Sequence, residues 1–268
     1  MSPRKETEFL GRDTTQPVDT GTLLTPGGRK QIVTIADYQA LFEGVTSAIA
    51  IGEASPNYLF LHERAVPAIQ KYVPDAKLIA ILRNPVERAY SDYLMHVREV
   101  VGNQKPLAEQ VRLSADSSYT LLKGLYSAGI EHFLDTFGPQ QVKIYLYEDL
   151  RQDAVALMAD LYRFIGVDDG FVADTQQRQQ QASVPKNQSI NQLLRTDNPV
   201  RSAVGTLLRT VMPEETRQLL RSRLIAANSA GKEALPLSEP DRQMLKAYYR
   251  EDILKLQALI NRDLSAWL

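Results

Sequence analysis

The sequence predicts an α/β fold with a parallel central sheet, and three short apolar runs are the first reason. They occupy residues 48–52 (AIAIG), 77–82 (KLIAIL) and 142–147 (VKIYLY). Each run is almost continuously apolar, as strands are when helices cover both faces of a sheet. Helical patterns lie between and after the runs, and this alternation is typical of layered α/β folds with right-handed crossovers.

The helices are predicted from apolar residues that recur at helical spacing. One pattern runs through residues 119–139, and a second runs through 149–166 and ends at Gly166. A third runs through 238–260, where Ser238 can cap the helix.

A polar stretch over residues 168–189 divides the chain. It contains the low-complexity patch 176–181 (QQRQQQ), which is typical of a solvated connector or of a loop that orders over a ligand. The pattern beyond it is entirely helical. We therefore expect an α/β core over residues 1–188 and a helical C-terminal extension, packed on the core, over residues 189–268.

Composition excludes several classes of function. The 31 Lys and Arg residues balance 32 Asp and Glu residues, so the chain has no broad positive field for nucleic acid or an anionic membrane. There are no cysteines, which excludes disulfides, thiolate metal ligands and a cysteine nucleophile. No run approaches the about 18 apolar residues of a membrane span, and the first residues carry no apolar signal segment. We expect a cytoplasmic protein without a membrane span or a nucleic-acid partner.

A metal site is not expected either. The three histidines, His62, His96 and His132, lie far apart in the sequence and share no ligand spacing.

One joint between a strand and a helix stands out in KLIAILRNPVERAYSDY, residues 77–93. The strand delivers Arg83 to the carboxyl edge of the sheet, where open α/β folds bind ligands. Asn84 is a good N-cap, Pro85 suits the first helical position, and Glu87 lies at the capping-box offset. A helix therefore begins at this joint.

The same joint suits a phosphate. The N-terminus of the helix offers N–H groups and a positive dipole, and the guanidinium of Arg83 lies beside them. Ser91 lies about two turns into the helix, where its hydroxyl can serve a nearby anion. A structural salt bridge at the sheet edge would show the same pattern, so spacing alone leaves both interpretations open.

The sequence of this joint resembles the 3′-phosphate-binding motif of the sulfotransferase family, whose sulfuryl donor is 3′-phosphoadenosine 5′-phosphosulfate. Other segments resemble bacterial members in the same order: GEASPNYLF at 52–60, GLYSAGIEHFLDTFGPQQVKIYLYEDL at 124–150 and NRDLSAWL at 261–268. The resemblance covers nearly the whole chain. It implies a P-loop NTPase-like three-layer α/β/α sandwich, in which Arg83 and Ser91 hold the 3′-phosphate of the donor.

The family's 5′-phosphosulfate loop, which resembles K-x-G-T-[ST], is not found. Gly231-Lys232 and residues 26–30 (PGGRK) lack its spacing and are interpreted as turns. RKETEFLG at 4–11 resembles the segment that follows this loop in the family. We therefore expect that the sequence begins about one strand-loop-helix unit late, and that the first strand of the sheet is missing.

The resemblance also assigns roles to single residues. Glu6 falls at the position of the catalytic glutamate and would act as general base, although near a terminus it can equally be a solvated charge. Lys186, in SVPKNQS, resembles a loop that closes over the nucleotide, or is a solvated loop lysine. Glu53 would line the acceptor side, or cap a turn. Glycosaminoglycan-type members usually carry a lysine after this glutamate, where this chain has Ala54, so that acceptor class is not favoured.

These assignments predict transfer of a sulfuryl group to a hydroxyl or amine of a carbohydrate, lipid or small molecule. One alternative is a noncatalytic remnant, or truncated inactive fragment, that binds adenosine 3′,5′-bisphosphate. Another is a nucleotide-dependent kinase, but a kinase of this architecture needs a Walker A run and magnesium ligands, which the sequence lacks. The sequence leaves the acceptor and the oligomeric state open.

Overall fold

The computed structural model describes residues 1–12, 31–101, 104–172, 183–196 and 213–268. The glycine-containing segment 26–30 and the glutamine patch 176–181 lie outside the described residues.

The chain forms two compact units built from non-consecutive segments. The first unit comprises Met1–Asn84, Leu125–Gln176 and Tyr249–Leu268, and the second comprises Pro85–Gly124 and Gln177–Tyr248. The division at residue 188 that the sequence predicts stays a prediction.

The first unit contains the parallel sheet. Its helices are α1 (Ile35–Ala40), α2 (Asn57–Phe60), α3 (His62–Tyr72), α7 (Ser127–Phe137), α8 (Tyr147–Gln152) and α9 (Ala154–Ile165). Its strands are β1 (Leu78–Leu82) and β2 (Val142–Leu146). They pair in parallel, with Leu78 opposite Val142 and Leu82 opposite Leu146. Because α3 precedes β1 and α7 precedes β2, strands and helices alternate as predicted, and the α/β class is confirmed.

The core of the first unit lies between the sheet and the helices beside it. Its buried members come from the N-terminal segment, α1 and the residues just before it, α3, α7 and β2: Phe9, Leu10, Ile32, Tyr38, Ala65, Val66, Ile69, Phe133 and Val142. Burial of each large aliphatic side chain contributes about 1.5–3 kcal/mol to stability. The C-terminal segment also belongs to this unit, because Leu264 and Trp267 are buried and the indole N–H of Trp267 donates to Glu148 at 3.1 Å. The N-terminal segment is thus part of the core, and the C-terminal segment is bonded to α8.

The strand predicted over residues 48–52 does not form. Ile49 and Ile51 are 83% and 56% exposed, and among the described residues β1 pairs only with β2. The side chains of Ile79 and Ile81 in β1 are themselves 39% and 45% exposed. A strand needs a neighbour to accept its backbone hydrogen bonds. The strand predicted from the apolar character of residues 48–52 was therefore wrong.

The second unit contains α4 (Pro85–Glu99), α5 (Leu107–Ser114), α6 (Tyr119–Leu122), α10 (Gln188–Arg195) and α11 (Glu214–Ala227). The long helix α12 (Glu239–Ile260) begins in this unit and continues into the first. No described helix has the length and apolar character needed to cross a membrane.

The region after residue 189 is not entirely helical, contrary to the prediction. Two short strands, β3 (Ser183–Pro185) and β4 (Ser229–Gly231), pair antiparallel in the second unit. Three-residue strands carry too little hydrophobic pattern to be found in a sequence. Gly231 is the last residue of β4 and Lys232 begins a 3₁₀ helix, so this pair, interpreted from the sequence as a turn, joins a strand to a 3₁₀ helix.

Candidate functional site

The joint between β1 and α4 forms where the sequence predicts it. β1 ends at Leu82, and α4 begins at Pro85, whose fixed φ suits the first helical position. Glu87 lies in the first turn, and its carboxylate accepts from Arg242 of α12 within the second unit. Arg83 belongs to the first unit and Ser91 to the second.

Arg83 is held by two tyrosines of its own unit. The hydroxyl of Tyr126 donates to the main-chain carbonyl of Arg83 at 3.0 Å. The guanidinium carbon of Arg83 lies 5.3 Å from the ring centroid of Tyr147, within the range of a cation–π contact. The backbone and the side chain of Arg83 are therefore both oriented by aromatic groups.

Tyr126 is itself fixed by a carboxylate from α12. Its backbone N–H donates to Asp252 Oδ2 at 2.8 Å, and the backbone N–H of Ser127 donates to Asp252 Oδ1 at 3.1 Å. The hydroxyl of Ser127 also donates to Oδ1, at 2.6 Å. Asp252 thus satisfies N–H groups at the start of α7, which would otherwise lack partners. Sequence reasoning missed this link, because Tyr126 and Asp252 are 126 residues apart.

Ser91 lies half-buried on α4, on the same helical face as Arg88. Arg88 Nη1 lies 3.7 Å from Asp92 Oδ2, and Arg88 Nη2 donates to the carbonyl of Thr120. Among the described residues, Arg88 Nε is buried without a hydrogen-bond partner. The helix therefore places a hydroxyl and a partly satisfied cation side by side.

Glu6 lies at the surface with strained backbone. Its φ is 57°, in the left-handed region that side chains other than glycine rarely adopt. Its carboxylate is 42% exposed and lies 3.7 Å from the ammonium of Lys5. The next residue, Thr7, is only 4% exposed. The carboxylate of Glu6 is thus solvated, whereas the next residue, Thr7, is buried.

Glu53 is the centre of a hydroxyl cluster. Its Oε2 accepts from Thr7 at 2.5 Å and from Ser55 at 2.9 Å. Its Oε1 accepts from Tyr58 at 2.6 Å and from Tyr38 at 3.3 Å. Burial, and then the hydrogen bond to Glu53, raise the pKa of Tyr58 to about 12. Burial and the charge of Glu53 also raise the pKa of Tyr38. Both phenols are therefore neutral donors to the carboxylate at neutral pH.

Lys186 follows β3 and lies exposed in the second unit. Its ammonium donates to the carbonyl of Ala227 at 2.9 Å, and its backbone N–H donates to the carbonyl of Asn228 at 2.7 Å. These carbonyls lie at the C-terminus of α11, where the helix dipole favours a cation. The structure thus gives Lys186 a local partner, and its contact with a nucleotide stays a prediction.

Two histidines that are distant in the sequence meet in the first unit. The Nδ1 atoms of His62 on α3 and His132 on α7 lie 2.9 Å apart. Burial first, and then the proximity of His132, lower the pKa of His62. Within the described ranges, no group of three or more histidine and carboxylate side chains could hold a metal ion.

Comparison with known proteins identifies the family. Residues 24–170 match the family model described as Sulfotransferase family. The crystal structure of a sulfotransferase from Alicyclobacillus acidocaldarius is similar to this chain, with a TM-score of 0.64 and 28% sequence identity. The match covers 99% of this chain and 87% of the chain in that crystal structure. This likeness agrees with the predicted P-loop-like α/β fold.

Human relatives agree with this result. Bifunctional heparan sulfate N-deacetylase/N-sulfotransferase 3 is 27% identical over 81% of this chain. Heparan sulfate glucosamine 3-O-sulfotransferase 6 is 28% identical over 50% of this chain. The chain spans 23% of the length of the first relative and 40% of the second. These matches support sulfuryl transfer and support neither the kinase nor the noncatalytic alternative. The chain belongs to the sulfotransferase family, as the strand-Arg-Asn-Pro-helix joint and the motifs around it predict.

Proposed function

We propose that this protein transfers a sulfuryl group from 3′-phosphoadenosine 5′-phosphosulfate to a hydroxyl or amine of an acceptor. The observation that carries the proposal is Arg83, which follows β1 directly and is oriented by Tyr126 and Tyr147. A planar guanidinium fixed in this way suits two parallel hydrogen bonds to a phosphate.

The donor is held by its 3′-phosphate in this proposal. Arg83 supplies the forked cation, and Ser91 supplies a hydroxyl from α4. Arg88 adds positive charge beside Ser91 and has a buried donor, Nε, without a partner among the described residues. Lys186 would reach the nucleotide by exchanging the Ala227 carbonyl for a phosphate. The 3′-phosphate distinguishes this donor from ATP-like nucleotides.

Glu6 is the general base. The acceptor oxygen or nitrogen forms a bond to sulfur while the bond from sulfur to the 5′-phosphate oxygen breaks. The acceptor proton passes to the Glu6 carboxylate, and adenosine 3′,5′-bisphosphate leaves. The exposure of Glu6 supports this role, because an acceptor must reach the carboxylate from solvent. By analogy with phosphoryl transfer, fixed cations and N–H groups stabilise the charge that spreads over the sulfuryl oxygens.

The acceptor is a carbohydrate hydroxyl or amine. The names of two relatives support this class, since one acts on heparan sulfate nitrogen and the other on a glucosamine oxygen. Glu53, expected from the sequence on the acceptor side, is followed by Ala54 instead of the lysine that is usual in glycosaminoglycan-type members. A cation beside the acceptor would favour a highly anionic polysaccharide. Because Ala54 carries no charge at this position, a less charged sugar is favoured.

Transfer of radiolabelled sulfate tests the proposal. The protein is incubated with labelled donor and amine-bearing or hydroxyl-bearing saccharides, and labelled product is separated from donor. We expect labelled saccharide with the wild type and a loss of at least a hundredfold with Glu6→Gln, since general base catalysis contributes about 10²–10⁴-fold. Glu63→Gln, an exposed glutamate on α3, is the control. If no acceptor gave labelled product, the proposed function would be overturned. If Glu6→Gln kept full activity, Glu6 would not be the general base.

A further inference from the structure

The Glu53 carboxylate has its acceptor capacity filled. Four hydroxyls donate to it at 2.5–3.3 Å, two on each oxygen. A carboxylate offers about four lone-pair positions, so Thr7, Ser55, Tyr58 and Tyr38 leave it little capacity for another donor. Hydrogen bonds to a charged acceptor are stronger than neutral ones, typically contributing about 1.5–3 kcal/mol. Glu53 is therefore a strong anchor for whatever carries those hydroxyls.

The cluster attaches the segment that follows Glu6. Tyr58 OH lies 3.0 Å from the Thr7 hydroxyl and accepts the backbone N–H of Leu10 at 3.2 Å. The hydroxyl of Ser55 accepts the backbone N–H of Glu8 at 3.2 Å. Residues 7–10 are thus bonded to residues 53–58 through both side chains and backbone.

The segment before Glu6 is attached to the same region. The backbone N–H of Ser2 donates to the carbonyl of Gly52 at 2.7 Å. Glu6 therefore lies in a short span that is anchored to neighbouring positions, Gly52 and Glu53, on either side.

The backbone of Glu6 requires this support. Its φ of 57° is left-handed, and Glu8 has a φ of 53°. A non-glycine residue in this region costs roughly 1–3 kcal/mol and persists only where the surroundings impose it. The ion pair of Glu6 with Lys5 is exposed, and exposed pairs contribute about 0–1 kcal/mol. The buried hydroxyl of Thr7 on Glu53 is the nearest strong constraint.

We propose that Glu53 is a positioning residue for the reaction, which acts through Thr7 to hold the Glu6 carboxylate in its reactive place. This inference rests on the proposed function, in which Glu6 is the base. Glu53 is not placed to accept the proton of the acceptor, because four hydroxyl donors already surround its oxygens. The acceptor-side role expected for Glu53 from the sequence would require one of these donors to leave.

Substitutions at Thr7 test the link. Thr7→Val removes the hydroxyl but keeps the shape, so we expect kcat to fall about tenfold or more, as for small misplacements of catalytic groups. The KM for the donor and the affinity for adenosine 3′,5′-bisphosphate are expected to stay within about twofold, because Arg83 and Ser91 are untouched. Thr7→Ser restores the hydroxyl and is expected to restore most of kcat.

A double-mutant cycle separates positioning from general stability. If Thr7 acts through Glu6, Thr7→Val has no further effect on the residual rate of Glu6→Gln, although it lowers the melting temperature equally in both backgrounds. Glu53→Gln, whose amide cannot accept four donors, is expected to show the same pattern and serves if Thr7→Val does not fold. Glu63→Gln is the control for lost charge.

The outcomes are distinct. Wild-type kcat in Thr7→Val and Glu53→Gln, with Glu6→Gln inactive, would overturn the positioning role and leave the proposed function standing. If Thr7→Val lowers the residual rate of Glu6→Gln by the same factor as it lowers the wild-type rate, the positioning role is overturned as well. Full activity of Glu6→Gln would instead overturn Glu6 as the base, and the absence of labelled product with every acceptor would overturn the proposed function itself.

Discussion

The hydroxyl of Tyr126 donates a hydrogen bond to the main-chain carbonyl of Arg83 at 3.0 Å. This contact joins the residue that follows β1 to the residue that precedes α7. Because Asp252 fixes the backbone N–H of Tyr126, the orientation of Arg83 depends on a carboxylate far along the chain. Phosphate recognition by Arg83 is thus expected to respond to substitutions that do not touch the phosphate.

Tyr126→Phe is expected to weaken the binding of adenosine 3′,5′-bisphosphate up to about tenfold, because a hydrogen bond of this kind contributes about 0.5–1.5 kcal/mol. Isothermal titration calorimetry measures the change. Tyr119→Phe, at an exposed position on α6, is the matched control and should bind as the wild type does. Wild-type affinity in Tyr126→Phe, together with lost affinity in Arg83→Ala, would show that this tyrosine does not orient Arg83.

Asp252→Ala is expected to destabilise the fold by about 1–2 kcal/mol, as the loss of a helix cap does. Three donors, from Tyr126 and Ser127, lose their acceptor. Urea unfolding at neutral pH gives the free energy. Glu251→Gln removes an exposed carboxylate next to it on α12 and is expected to leave stability close to that of the wild type. Equal effects of the two substitutions would argue against the cap.

The Glu53 cluster predicts a loss of stability at high pH. The pKa of Tyr58 is raised from 10.0 to about 12 in the folded protein. The neutral phenol therefore stabilises the fold fully below about pH 10, and this contribution is lost as the pH rises towards 12. We expect the unfolding free energy of the wild type to fall across this range and that of Tyr58→Phe to fall less. Parallel pH profiles for the two proteins would refute the assignment.

The pair of His62 and His132 predicts a loss of stability at mildly acidic pH. The pKa of His62 is lowered from 6.5, so its neutral form stabilises the fold above about pH 6.5. That contribution is lost as the pH falls through the folded pKa, because burial and the proximity of His132 disfavour a positive charge on His62. Urea unfolding at about pH 7.5 and pH 5 is expected to show a smaller difference in His132→Gln than in the wild type. The nearby Glu63 opposes the shift, so Glu63→Gln should enlarge the difference.

Local signals in the sequence predicted much of the fold. The joint at Arg83 was found because a strand, an N-cap and a proline follow one another within a few residues, and α4 begins at Pro85 as predicted. The parallel pairing of β1 and β2 followed from their apolar character. The failure at residues 48–52 has a physical reason, since apolar character predicts extended chain but cannot supply the neighbour that makes a strand.

The contacts of the candidate site were less predictable. Glu53 was singled out, but its partners Thr7 and Tyr38 are 46 and 15 residues away in the sequence, and no spacing rule relates them to it. The pair of His62 and His132 was missed for the same reason, because their contact depends on the packing of α3 against α7. Side-chain networks of this kind depend on tertiary structure, which local periodicity does not encode.

The most direct measurement compares two nucleotides that differ only in the 3′-phosphate. Adenosine 3′,5′-bisphosphate and adenosine 5′-monophosphate are titrated into the wild type, into Arg83→Ala and into the control Arg163→Ala, whose exposed guanidinium pairs with Asp169. The proposed function predicts that the wild type and the control prefer the bisphosphate by at least about tenfold, the equivalent of 1.4 kcal/mol, and that Arg83→Ala loses this preference. Equal affinity of the wild type for both nucleotides, or an undiminished preference in Arg83→Ala, would contradict the assignment of Arg83 as the 3′-phosphate clamp.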